Sequence, residues 1–125
     1  MEKMYTLRLP VEDIKCLKKI LYFYGEYLNP PWGQCHPDQN IWVFKTKEQL
    51  EKIRNIIIYI HNEEDYIPKL SSNDISDLKK ILDSYLQYFS GPGCIYYPER
   101  DKWIKKITFL SEAVSSAYYY PAVEL

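Results

Sequence analysis

Thiol and imidazole chemistry have little to draw on in this chain. Its 125 residues include three cysteines, Cys16, Cys35 and Cys94, and two histidines, His36 and His61. The cysteines are too few and too scattered for a disulfide framework or a Cys-x-x-Cys zinc site, so reduced thiols are expected. The four glycines do not form a phosphate-cradling loop. No run of about eighteen apolar residues occurs, and the opening MEKMYTLRLP carries charge where a secretory signal needs an apolar core. A cytoplasmic protein without a membrane span is expected, residing in the host cytoplasm if the gene is viral or from a phage. The abundance of Ile, Lys, Asn and Tyr fits an AT-rich genome. A net charge of −1, from 16 basic and 17 acidic side chains, provides no excess of cations for gripping a nucleic-acid backbone.

What the chain has in excess is aromatic side chains: 13 Tyr, 4 Phe and 3 Trp, or 16% of its residues. A core of this size cannot absorb them all, and amphipathic rings at a surface suit contact with another molecule. The chain also repeats itself. DIKCLKKIL, from Asp13, and DISDLKKIL, from Asp74, agree at seven of nine positions. The same offset of 61 pairs Tyr5 with Tyr66, Leu9 with Leu70, Tyr24 with Tyr85 and Tyr27 with Tyr88.

Residue periodicity extends the repeat. Residues 5–9 alternate as a strand does. Ile14, Leu17, Leu21, Tyr24 and Leu28 then recur at helical spacing, with Lys15, Lys18 and Lys19 off that stripe. After the loop NPPWGQCHPDQN, Ile41–Phe44 reads as a short buried strand. Thr46 would cap a helix with Leu50, Ile53, Ile57 and Ile60 inward. The second half follows with a poor strand at 66–70 and a cap at Ser71 or Ser72. Its helix carries Ile75, Leu78, Leu82, Tyr85 and Phe89 inward and stops at Ser90-Gly91-Pro92-Gly93. A strand at 95–97 precedes a last helix burying Ile104, Ile107, Leu110, Val114 and Ala117. For the second helices an offset of 54 is preferred, because 61 would lay Phe44 on Lys105.

The expected fold is therefore α+β, helix-rich, with a small sheet of short strands. Two tandem strand–helix–loop–strand–helix units, about 4–62 and 65–118, form one compact domain spanning 1–125 with pseudo-two-fold symmetry. An aromatic tail follows at 118–125. A unit of about 55 residues buries too little surface alone, and two can cover each other's apolar faces.

No catalytic residue, metal ligand or cofactor is expected. Cys35 and His36 are neighbours in an extended loop and point apart, whereas a thiolate–imidazole pair comes from separate segments. His61, Glu64 and Asp65 have ligand chemistry but no familiar spacing, and read as a solvated linker. Cys35 and Cys94, near-equivalents under the repeat, are read as small buried residues or as a pair at a shared mouth. The leading functional expectation is a small non-catalytic protein-interaction module of the inhibitor, immunity or adaptor type, docking an aromatic surface on a partner or on a second copy. Its candidate contact residues are Trp32, His36 and Asp38 in the first loop, Tyr96 and Tyr97 in the second, and Tyr118, Tyr119 and Tyr120 in the tail. The alternative is a nucleic-acid or nucleotide-binding module using the lysine pairs Lys18/Lys19, Lys79/Lys80 and Lys105/Lys106, with tyrosines as stacking surfaces.

Overall fold

The computed structural model describes residues 4–7, 9–28, 39–62, 69–91 and 98–119, with 27–28, 39–40 and 117–119 by backbone alone. The architecture is α+β and strongly helical. In chain order the elements are β1 (Met4–Tyr5), α1 (Val11–Leu28), α2 (Gln39–His61), β2 (Leu70–Ser71), α3 (Ser72–Ser90) and α4 (Arg100–Tyr119). They form two compact units. One holds residues 9–68, in which α1 packs on α2. The other holds residues 1–8 with 69–125, in which α3 packs on α4 and on the small sheet.

In the first unit, the Pro10 carbonyl accepts from the amides of Asp13 and Ile14 at 2.9 and 3.1 Å, which starts α1. Glu12 and Asp13 place negative charge on the positive end of the helix dipole. The expected stripe is the buried one: Ile14, Leu17, Leu21 and Tyr24 are buried, and Ile20 joins them.

The run Ile41–Phe44 is not a strand. It is the opening of α2, a 23-residue helix. A short β-branched and aromatic run looks alike in both states, and the residues after it, KTKEQLEKI, are good helix formers that propagate backwards through it. Thr46 is consequently no cap but a buried interior residue. The inward face of α2 is Thr46, Gln49, Ile53 and Ile56, rotated from the expected one, since Leu50, Ile57 and Ile60 are only half-buried.

In the second unit, Ser71 caps α3 as expected. Its hydroxyl accepts from the Asp74 amide at 3.1 Å while Asp74 Oδ2 accepts from the Ser71 amide at 2.9 Å, a reciprocal capping box. Ile75, Leu78, Leu82, Tyr85 and Phe89 are all buried, with Ile81. α3 stops at Gly91, whose amide bonds the Tyr88 carbonyl at 3.2 Å. The α3–α4 hairpin is closed by Arg100, which donates from Nε to the Phe89 carbonyl at 2.8 Å, and by the Trp103 ring lying nearly parallel to Phe89 at 6.4 Å. Glu99 precedes α4 with φ of 60° and its carbonyl accepts from the Trp103 amide. Ile107, Leu110 and Val114 face the core, joined by Ser111; the Ala117 side chain lies outside the described residues.

Of the strands expected at 5–9 and 66–70, the described residues hold strand at Met4–Tyr5 and Leu70–Ser71, and residues 8 and 66–68 lie outside them. β1 and β2 are antiparallel, with Met4 opposite Ser71 and Tyr5 opposite Leu70. Thus the first residues of the chain belong with α3 and α4, not with the helix they immediately precede. The expected strand at 95–97 lies outside the described residues.

Helix boundaries bear on the repeat register. Val11 and Ser72 begin α1 and α3, and Gln39 and Arg100 begin α2 and α4; both pairs are 61 residues apart. At that offset Thr46, Gln49 and Ile53 match Ile107, Leu110 and Val114, and all six are buried. The case for an offset of 54 rests on Phe44 and Leu50 being buried, since 61 sets them on Lys105 and Ser111; Leu50 is only half-buried. Phe44 is 67% exposed, so that objection disappears.

Candidate functional site

Of the residues expected to contact a partner, Trp32, His36, Asp38, Tyr96, Tyr97 and Tyr120 lie outside the described residues. Tyr118 and Tyr119 belong to the last turn of α4, described by backbone alone. The structure instead displays a set of outward apolar side chains that periodicity had not singled out.

On α1, Tyr22 and Phe23 are 49% and 40% exposed. They sit off the buried stripe, and their rings meet edge to face at 5.7 Å. On α2, Ile41 and Phe44 are exposed, Phe44 most of all. These four belong to one end of the α1–α2 hairpin. A Cβ placed on Gly25 would stand 3.8 Å from Thr46 Cγ2, so the last turns of α1 lie against the first turns of α2. The connection containing Trp32, His36 and Asp38 leaves from Leu28 and returns at Gln39, at that same end.

Lysines accompany the rings. Lys19 Nζ lies 5.9 Å from the Phe23 ring centre, and Lys45 Nζ lies 4.9 Å from that of Trp42. Lys18 stands one turn before Tyr22, and Lys47 one turn after Phe44. Singly exposed apolar residues need no explanation; Phe23 and Phe44 each lie two positions, about 160° around the helix, from Gly25 and Thr46, which face each other, so these two rings sit on opposite outer flanks of the hairpin.

The second unit offers a different surface. A groove of about 690 Å³ runs along α3, lined by Ser72, Ser76, Lys79, Lys80, Asp83 and, from α4, Ser115 among others. Ser111, buried at the seam, accepts from Lys79 Nζ at 3.3 Å and donates to Asp83 Oδ1 at 2.7 Å, while Lys79 and Asp83 pair at 3.4 Å. A serine whose proton is directed to a carboxylate and whose oxygen meets an ammonium is a polar clasp between helices. It lacks the neutral base that would activate a nucleophile.

The duplicated lysines do not assemble into one face within this unit. Lys79 reaches Ser111, whereas Lys105 and Lys106 are six and five positions earlier on α4, roughly 120–140° around the helix from it. Lys106 lies over Phe109, its Nζ 5.2 Å from the ring centre. Lys18 and Lys19 belong to the other unit. Among the described residues no three His, Cys, Asp or Glu side chains group as a metal site, and no helix is long and apolar enough to cross a membrane.

Compared with known proteins, the chain matches no family model, no curated protein and no solved structure.

Proposed function

We propose that the chain is a small non-catalytic interaction module that docks an aromatic surface on a protein partner or a second copy of itself. The observation that supports this reading is the exposure of Tyr22, Phe23, Ile41 and Phe44 on the helices that flank the Trp32 loop. Burying such side chains on association removes apolar area from water, and aromatic anchors dominate the energy of most interfaces. The nucleic-acid alternative draws less support, because its lysines are spread over different helix flanks and the net charge is −1. A cytoplasmic setting, and an inhibitor, immunity or adaptor role, belong to the same proposal.

The internal repeat is proposed alongside it: two tandem helical hairpins descended from one, pseudo-symmetric and forming one domain. In its support, Ile14/Ile75, Leu17/Leu78, Ile20/Ile81, Leu21/Leu82 and Tyr24/Tyr85 stand 61 apart, and every member is buried.

The test compares wild type with Phe23→Ser/Phe44→Ser, first by light scattering for self-association and then as bait for quantitative capture from the source cell. The expected result is a dimer or a reproducible partner that the variant loses by about tenfold or more. A monomeric wild type that captures the same proteins as the variant overturns the reading.

A further inference from the structure

Independently of the outward aromatic residues, we infer that residues 1–8 are an exchange arm, through which two copies of the chain assemble by each laying its arm on β2 and α3 of the other. The arm belongs with residues 69–125 and packs on α3. Met4 and Tyr5 pair with Ser71 and Leu70, and the Tyr5 hydroxyl accepts from Ser72 Oγ at 3.4 Å. Tyr5 and Leu7 are buried while Met4 and Thr6 are half-buried, the alternation of a docked strand. Yet the arm is tied to the other unit. Arg8, Leu9 and Pro10 alone separate Leu7 from Val11, where α1 begins. None of Thr6, Leu7, Leu9 and Pro10 falls in a turn. Leu9 precedes a proline, which holds it extended, and the ring of Pro10 fixes its own φ. The Pro10 carbonyl is committed to the amides of Asp13 and Ile14. Such a connection carries the arm away from the helix it precedes, so burial of Tyr5 and Leu7 falls to residues beyond α2.

A second copy offers an identical β2 and α3. The arm meets them there with the same strand pairs, the same hydroxyl contact and the same buried side chains. The closed and exchanged forms therefore differ only in the conformation of residues 8–10. A short, stiff connection disfavours closure relative to exchange, and exchange of an identical element is a low-cost route to a dimer. The arm also selects its occupant, since the slot is already matched to this Met-Tyr-Thr-Leu segment, which a second copy supplies.

The experiment mixes heavy-isotope and unlabelled full chains from low micromolar to near-millimolar concentration and reads them by native mass spectrometry and light scattering. Tyr5→Ser/Leu7→Ser removes the arm's anchors, and Pro10→Gly frees the connection while keeping every arm contact. Phe23→Ser/Phe44→Ser serves as the comparison, and a fluorescent peptide of residues 1–10 reports uptake of the arm in trans. The inference predicts mixed dimers that increase with concentration in the wild type and persist in Phe23→Ser/Phe44→Ser. Pro10→Gly shifts toward monomer. Tyr5→Ser/Leu7→Ser is monomeric and takes up the peptide about tenfold or more tightly than the wild type, whose own arm competes at high effective concentration. Should circular dichroism show that the double arm substitution costs helix, Pro10→Gly decides. A wild type that is monomeric throughout overturns the inference, as does a dimer that survives replacement of Tyr5 and Leu7 or ignores Pro10→Gly. A dimer lost only in Phe23→Ser/Phe44→Ser overturns arm exchange and leaves the docking reading standing.

Discussion

Thr46 is buried to 1% exposure on the inward face of α2, and its Oγ1 has no hydrogen-bond partner among the described residues. A hydroxyl withdrawn from water without a partner costs about 1–3 kcal/mol. Thr46→Val keeps the branched shape and removes the polar atom, so it should raise unfolding stability by about 1 kcal/mol; a urea denaturation midpoint that falls instead would show that the hydroxyl is satisfied. Ile107, which matches Thr46 under the proposed repeat, is an aliphatic residue that is fully buried. Ser111 is the opposite case, a buried hydroxyl with a donor on one side and an acceptor on the other. Ser111→Ala strips Asp83 and Lys79 of that bridge and should lower stability by about 1 kcal/mol, read by the same urea titration. The outward residues show what residue types alone can hide. Tyr22 and Phe23 are legible in the sequence, since both fall off the Ile14–Tyr24 stripe. Ile41 and Phe44 were not legible once their run was read as a buried strand.

At the scale of elements, α3 is the one whose local signals all agree: cap, apolar stripe and stop. Ser71→Ala removes one arm of the capping box and should cost about 1 kcal/mol, with amide exchange accelerating first at the N-terminus of α3. Where the signals agreed, sequence reading worked: Ile14, Leu17, Leu21 and Tyr24 of α1, all five expected positions of α3, and Ile107, Leu110 and Val114 of α4 are buried, whereas Ile104 is only half-buried. Ser71, one of the two expected caps, is the cap of α3. Where they conflicted it failed. The first turn of α2 has β-branched and aromatic residues upstream of strong helix formers, and local propensity cannot decide which side prevails; helix propagation did. That one misreading also underlies the offset of 54, because a buried strand at 41–44 sets Phe44 inward, where a match with Lys105 is unacceptable. In the structure the connections before α2 and α4 are nearly equal, spanning 29–38 and 91–99.

At the scale of the molecule, the two units are not successive stretches of chain. Residues 1–8 belong with 69–125, and the pairing of β1 with β2 draws together positions 65 and 67 residues apart, with Ser72 Oγ donating to the Tyr5 hydroxyl at 3.4 Å. Tyr5 and Leu7 are buried, and each buried side chain of that size contributes about 1.5–3 kcal/mol. Deleting residues 2–8 should therefore lower the stability of the α3–α4 unit and speed hydrogen exchange in α3; unchanged protection there would mean that the strand is dispensable. The order of these units could not be read from the repeat, which assigned the first strand to the helix beside it.

The same discontinuity sets a timetable for synthesis. While a ribosome is still making α2, the Tyr5 ring and the backbone amides of Met4–Tyr5 have nothing of their own unit to meet, since Leu70 and Ser71 have not yet been translated. An early-terminated product would therefore carry a sticky, unsatisfied front end, an obvious handle for chaperones and proteases that police nascent chains.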